Sequence, residues 1–386
     1  MKTVPLGELC EVIIGRTPAR RNPLYWGSGE TWVSIADMNQ GRVITSTKEQ
    51  ITAEGARGGK RIDAGTVLLS FKLSIGKVAL AGKPLYTNEA IAALPTRPGV
   101  PLDERFLLRA LEAIDLANGA NRAAMGATLN KQKLQQIRVP FPSLEDQRRI
   151  AAILDHADAL RVKRESVTAR YEALLQSIFR IMFEDPDMAQ EQIPFAKIAT
   201  LVGGRNLVAD DPSAASPFRV LKISSVTTGQ FRIAETKPLP ADYVPPAHHL
   251  VSPGDLLMSR ANTTQLVGAV ALVEDVPPNI ALPDKIWRFE WKDPASSPIY
   301  YHQLFRTPSV RRRISRLASG TGGSMKNVSK AKLEAMPLPR VPVDRQHEFA
   351  TRAALVRRSY VLARRAIALD AELFNSLQSR AFRGEL

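Results

Sequence analysis

The sequence predicts an α+β chain in which two similar mixed α/β domains are separated by two long antiparallel helices, a pseudo-two-fold tandem repeat. Three observations predict it. The chain repeats its own order of motifs, each repeat closes on a long stretch of helical periodicity, and the positive charge gathers in the parts that are not long helix.

The repeat comes first. Val4-Pro5-Leu6 through Gly15-Arg16 recurs as Ile193-Pro194-Phe195 through Gly204-Arg205, a shift of 189 positions. Val33, Ile35 and Gly41 recur as Leu221, Ile223 and Gly229, and Gly65-Thr66-Val67-Leu68-Leu69-Ser70 as Gly254-Asp255-Leu256-Leu257-Met258-Ser259. Leu134, Ile137, Pro140 and Gln147 return as Leu333, Met336, Pro339 and Gln346, and Leu175-Gln176-Ser177 as Leu377-Gln378-Ser379. One order kept with small shifts marks a duplicated unit rather than chance. The boundaries read as a domain over 1–143, a helix over 144–185, a second domain over 186–342 and a second helix over 343–386.

Within the domains, β-like runs fall at Thr66–Phe71, Val78–Leu80, Gly268–Val273 and Ile286–Phe289, between turn residues. Pro-containing segments (Val139-Pro140-Phe141-Pro142-Ser143 and Met336-Pro337-Leu338-Pro339) then open the long helices. Ser143 reads as an N-cap, with Glu145, Asp146 and Gln147 in the first turn. The first helix carries a heptad seam of Ile150, Ile153, Ala157, Leu160, Val167, Tyr171, Leu174, Ile178 and Ile181, broken only by Arg164. The second carries Phe349, Ala353, Val356, Tyr360, Ala363, Ile367, Phe374, Leu377 and Ala381, broken only by Asp370. Antiparallel seams bring the two breaks within about a turn of each other, which predicts a buried Arg164–Asp370 ion pair that sets the register.

The chain of 386 residues carries 53 Lys+Arg against 38 Asp+Glu, a net +15. The net charge is +7 over 1–143, −1 over 144–185, +6 over 186–342 and +3 over 343–386. Two basic domains favour a polyanionic partner, nucleic acid before an anionic membrane. The lone Cys10 forbids an internal disulfide, no apolar run reaches membrane length, and Glu8 and Glu11 interrupt the start of the chain, so a cytoplasmic protein is expected.

Motifs for catalysis are incomplete. Asn22-Pro23-Leu24-Tyr25 is close to the Asn/Asp-Pro-Pro-Tyr/Phe motif of amino-methyltransferases, but Leu24 stands in place of the second proline. Asp284, Glu290 and Lys292 resemble a nuclease metal set that the first half of the chain does not repeat. Gly59-Lys60, Gly76-Lys77 and Gly82-Lys83 lack the Ser/Thr of a phosphate loop, and the five histidines have no metal-ligand spacing. The expectation is a chain with no catalytic residues, no metal site and no cofactor of its own.

Candidate binding residues are donors and cations set in loops. In the first half they are Arg16, Thr17, Arg20, Arg21 and Asn22, then Lys72, Ser74 and Lys77 in the segment Phe71–Lys77. In the second half Arg260, Asn262, Thr264 and Gln265 stand at the matching place, with Arg205 and Asn206 after the repeated glycine. A third pair of clusters holds Asn121, Arg122, Thr128 and Lys131, and Arg311, Arg312 and Arg313 with Ser319, Thr321 and Lys326. Phosphate contacts, which position but do not specify, are expected there.

These features together resemble the specificity subunit of type I restriction-modification systems. The resemblance rests on Gly15-Arg16-Thr17-Pro18, Thr128-Leu129-Asn130 through Val139-Pro140, Glu145-Asp146-Gln147 opening a long helix, the repeats of these, and the ending Leu377-Gln378-Ser379-Arg380-Ala381-Phe382-Arg383-Gly384-Glu385-Leu386. It covers the whole chain and depends on order and duplication. Arg345-Gln346-His347 and the lack of Thr-Pro after Gly204-Arg205 depart from the pattern. The resemblance implies two target-recognition domains, each reading half of a bipartite asymmetric site in double-stranded DNA, with the helices as a ruler. Leu144 to Met182 would span about 58 Å, an upper bound of about 17 base pairs. It also implies two DNA adenine methyltransferase subunits using S-adenosylmethionine, with or without two restriction subunits using ATP and Mg²⁺. The competing readings are a stand-alone two-domain DNA-binding protein (a regulator or orphan specificity subunit), a nuclease built on Asp284, and a protein of the membrane surface.

Overall fold

The computed structural model describes residues 1–114, 116, 129–205, 207, 216–320 and 325–386. The chain forms two compact units, residues 1–165 with 365–386 and residues 166–364, so each unit takes an end of both long helices.

In the first unit a five-stranded sheet runs in the order Ile13–Ile14, Ile91–Leu94, Val67–Ser70, Val78–Ala81, Val43–Ile44. Its neighbours are antiparallel except for the last pair. All four residues of Val67–Ser70 are buried, as suits a central strand covered on both faces. A second sheet places Trp26–Val33 between Gln50–Ile51 and Tyr86–Thr87, the latter pair parallel. Thr3–Pro5 pairs with Arg138–Pro140 beside the start of the long helix.

The second unit repeats this plan. Ala199–Gly203, Ile286–Trp291, Leu256–Ser259 and Val270–Leu272 form the main sheet, all antiparallel. Arg219–Leu221 lies between Thr236–Pro238 and Ile280–Ala281, again with one parallel pair. Gln192–Pro194 pairs with Pro337–Pro339. The duplication is therefore one of topology as well as of sequence. Gly65 and Gly254, matched in the repeat, both hold positive φ (86° and 91°) in the turn that leads into the central strand.

The long helices are α1, Leu144–Met182, and α2, Val343–Arg383. Ser143 caps α1, its hydroxyl accepting the Asp146 N–H at 3.2 Å. In the first unit Arg149 Nη2 donates to the Leu386 carbonyl at 2.7 Å and Arg164 lies beside Asp370, so the two segments run antiparallel. The second unit shows the same sense: Phe179 meets Phe349 with centroids 5.3 Å apart, and the Tyr360 hydroxyl donates to Glu172 at 2.9 Å.

Each helix start is tied to its unit by a buried glutamine. Gln147 Oε1 accepts the Asp103 N–H at 2.9 Å while its Nε2 donates to the Pro101 and Pro142 carbonyls. Gln346 does the same with the Ser297 N–H and the Val341 carbonyl. Asp103 and Ser297 in turn cap the helices Glu104–Ala113 and Pro298–Arg306. That is why glutamine returns at this point of the repeat.

The seam expected on α2 is buried or half-buried throughout, but that on α1 is corrected. Ile150 is buried and Ile153, Ala157, Tyr171 and Ile178 are half-buried as expected, but Leu160, Val167, Leu174 and Ile181 are exposed, and the buried stripe runs from Ile150 through Ala151, Leu154, Asp158, Leu175 and Phe179. The reason is polar. Asp158 pairs with Arg42, Arg161 and Arg109, the last a guanidinium only 2% exposed that also meets Asp155 at 2.6 Å and Glu112 at 3.2 Å. In the second unit Glu172 accepts from Gln230, Arg306 and Tyr360. A stripe whose charges are matched can be covered, and the aliphatic row beside it is left in solvent.

Candidate nucleic-acid interface

Strand order gathers the candidate loops at one end of each main sheet. In the first unit Ile14 pairs with Ala92 and Ser70 with Ile91, so the segments leaving Ile14 and Ser70 emerge side by side. The turn at 87–90 joins them: Arg16 N–H donates to Thr87 and Phe71 N–H to Ala90. Gly15 is required by this closeness, because a Cβ there would sit 2.2 Å from the Thr87 carbonyl oxygen. Gly204, its counterpart, would meet the Leu282 carbonyl oxygen at 1.8 Å. The repeated glycine before arginine is thus a packing requirement.

Several singled-out side chains are held by their own unit. Arg16 Nη1 donates to the Arg57 carbonyl at 3.0 Å, and Thr17 donates to Glu89. Asn22 Oδ1 accepts the Leu24 N–H at 3.0 Å, capping the turn Pro23–Tyr25, which accounts for the Asn-Pro-Leu-Tyr segment without catalysis. Arg20 pairs with Glu49 at 2.6 Å and stacks 3.9 Å from the Trp26 ring, while Arg21 is exposed. In the neighbouring loop Ser74 N–H donates to the Lys72 carbonyl and Lys72 Nζ lies 5.4 Å from the Phe71 ring. Lys77 Nζ donates to Asn39 at 2.6 Å, which brings Asn39 to the same sheet end.

In the second unit Gly203 pairs with Trp287 and Ser259 with Ile286, so Arg205 and Arg260 emerge together. The Arg260 backbone N–H donates to the Lys285 carbonyl, and its guanidinium lies 5.6 Å from the Trp287 ring with Nε buried and unpartnered. Asn262 Nδ2 donates to Thr227 at 3.2 Å, and its strand, Ala261–Asn262, pairs with Lys326–Asn327. The helix Pro308–Leu317 closes over this loop: Arg311 Nη2 donates to the Gln265 carbonyl at 2.7 Å and Ser315 to that of Thr264. The Thr264 and Gln265 side chains stay exposed. Burial holds the Arg311 guanidinium below its ordinary pKa, a partly dehydrated donor. Arg312 faces elsewhere, 3.5 Å from Asp187, and Arg313 also binds Asp187. Arg122 and Asn206, with Asn121, Thr128 and Thr321, lie outside the described residues.

The nuclease trio does not assemble. Glu290 lies four residues along the strand from Ile286, about 13 Å, while Asp284 sits in the turn before that strand. Glu290 bonds Arg288 at 3.1 Å. Sequence reasoning passed over Asn39, Lys285 and Leu73, whose places at the sheet ends come only from strand order.

Residues 1–168 match the family described as the type I restriction modification DNA specificity domain. The chain is 28% identical over 185 residues to the type I restriction enzyme MjaIX specificity subunit of Methanocaldococcus jannaschii, covering 46% of this chain and 42% of that one. It is 25% identical over 346 residues to the EcoKI specificity subunit of Escherichia coli (strain K12), covering 82% and 72%. It thus spans about two fifths of the MjaIX subunit's length and of that of the HindI specificity subunit of Haemophilus influenzae, 42% and 39%. The crystal structure of a type I restriction-modification S subunit from M. genitalium shares the fold, with a TM-score of 0.57 at 12% identity over 99% of this chain and 96% of that one.

Proposed function

We propose, for a chain whose residues 1–168 match the type I restriction modification DNA specificity domain, the role of a specificity subunit that reads double-stranded DNA with each of its two units. Each unit takes one half of a bipartite asymmetric site. The observation that carries this is the duplicated sheet end: Arg20, Arg21, Lys72 and Lys77 in the first unit and Arg205, Arg260 and Gln265 in the second sit on the segments leaving equivalent strand ends, with Arg311 of the helix Pro308–Leu317 against the last of them, in a chain with net charge +15. Cations there neutralise phosphates, and the amides and hydroxyls beside them reach base edges.

Chemistry belongs to partners in this reading. DNA adenine methyltransferase subunits, two per chain, supply methylation with S-adenosylmethionine. Restriction subunits, where present, supply ATP- and Mg²⁺-dependent cleavage. Support for docked partners comes from the exposed aliphatic row on the long helices. In the second unit Val167, Leu174 and Ile181 stand at heptad spacing on α1, and Leu355 and Leu362 on α2, all facing solvent.

The test is expression of the chain with a type I methyltransferase and mapping of N6-methyladenine across the host genome. A split, asymmetric motif that disappears when this chain is omitted is the expected result. Methylation independent of the chain, or a single uninterrupted motif, overturns the proposal. Specific DNA binding by the chain alone, with no methyltransferase captured, favours the stand-alone regulator.

A further inference from the structure

Leu73 is the one non-glycine residue with positive φ among the described residues, at 64°. It is also 91% exposed, on the loop that leaves the central strand of the first unit. The Ser74 N–H donates to the Lys72 carbonyl at 2.8 Å, so Leu73 is the middle of a three-residue turn in its rarer, strained form. Leucine is ill suited to that conformation, where glycine or asparagine would be at home.

The loop around it is firmly built. Gly76 N–H donates to the Ser70 carbonyl at 2.9 Å and Lys77 N–H to the Ser70 hydroxyl at 2.9 Å, while that hydroxyl donates to the Ser74 carbonyl. Phe71 is buried and Ile75 packs against the core. Two apolar neighbours are drawn inward and the third is held out. The second unit uses the same frame, with Gly268 N–H donating to the Ser259 carbonyl and positive φ at Gly268 as at Gly76. There the exposed residues are Thr263, Thr264 and Gln265, with Leu266 beside them at 37% against the 91% of Leu73. The frame itself does not call for so projecting an apolar side chain.

Lys72 and Lys77 flank Leu73, and Arg20 and Arg21 lie on the loop beside it. An apolar point between cations, on a surface facing a polyanion, matches a side chain that enters a base stack while its neighbours hold phosphates. We propose that Leu73 is a wedge that opens one base step in the half-site held by the first unit. The step would be pyrimidine–purine, the kind most easily unstacked, so Leu73 would select sequence through deformability rather than hydrogen bonding. A strained backbone that already projects the side chain leaves no reorganisation for the moment of binding.

This inference rests on the DNA-reading role proposed above, and its test separates the two. The full chain, assembled with its methyltransferase, is bound to a duplex carrying the mapped motif, with 2-aminopurine replacing in turn each adenine of both half-sites on either strand, except the methylated one, which the methyltransferase itself turns out of the stack. Wild type should raise the emission several-fold at one step. Leu73→Gly, which suits the positive φ and keeps the loop, should abolish that rise and weaken binding about tenfold, and Leu73→Phe should restore the rise. Binding without brightening at any position, or brightening that survives Leu73→Gly, overturns the wedge and leaves the DNA-reading role standing. Failure of wild type to bind the mapped duplex takes down both.

Discussion

Arg164 Nε lies 2.6 Å from Asp370 Oδ2. These are the two residues that interrupt the apolar seams of the long helices, one in each, and they meet in the first unit. The contact is an ion pair outside hydrogen-bond alignment, since Asp370 Oδ2 has no hydrogen-bonding partner. Arg164 is 47% exposed and Asp370 18%, so the pair is half-open to water rather than buried as the seams suggested.

For that pair a double-mutant cycle with Arg164→Leu and Asp370→Leu should give a coupling of about 0.5–1 kcal/mol that fades as salt rises. Urea midpoints of the four proteins at low and high salt measure it. Strict additivity of the single substitutions would show that the pair sets no register.

Gln147→Ala leaves the Asp103 N–H and the Pro101 and Pro142 carbonyls without their shared partner in a site closed to water. Each orphaned group carries a cost, and the loss should be on the order of 3 kcal/mol, a fall in Tm of about 6–12 °C in the first unit. Gln346→Ala should act alike on the second unit. Calorimetric scans that leave Tm unmoved would remove the glutamine staple from the account of the fold.

Acid should loosen the second unit through His302. Burial, with Arg306 and Arg357 nearby, pushes its imidazole down to about 3, and Nε2 meets the Gly229 carbonyl at 3.2 Å. The unfolded chain takes up a proton below about pH 6.5 and the folded one does not, so stability falls as pH drops from 6.5 toward 3. The limiting slope is about tenfold in the folding constant per pH unit for one proton. His302→Gln should flatten the fall in Tm between pH 7.5 and 5, and curves that stay parallel for the two proteins would contradict it.

Removal of one heptad from the middle of each long helix shortens each by about 10 Å, or about three base pairs of spacer. Both half-sites should keep their sequence, because the loops at the sheet ends are untouched. A methylation map with the original spacer would count against helices that set the distance.

Much of this molecule is legible without coordinates, and the parts that are not share a cause. The β-like runs at 66–71 and 286–289 became the strands Val67–Ser70 and Ile286–Trp291. Ser143 caps where it was expected, and Gln147 and Gln346 both accept a backbone N–H from a helix-capping residue and donate to the carbonyl five residues before them. The buried face of α1 was misread because a search for aliphatic periodicity cannot see that Asp158 and Glu172 find partners in Arg109, Arg42, Arg306 and Tyr360. The loops at 16–22 and 71–77 lie some fifty residues apart and become neighbours only through the strand order that puts Ile91–Leu94 between Ile13–Ile14 and Val67–Ser70.

By itself the sequence determined the duplication, the long helices, the Ser143 cap and the excess of positive charge. Those are properties of residue order, periodicity and charge along the chain, where the local backbone and its nearest side chains decide. Tertiary structure alone decided which donors remain for a ligand and which serve the fold. Arg16, Thr17 and Asn22 are tied to Arg57, Glu89 and Leu24, whereas Arg21 and Leu73 face solvent. A side chain's availability depends on what packs beside it, and for these residues most of those neighbours come from distant parts of the chain.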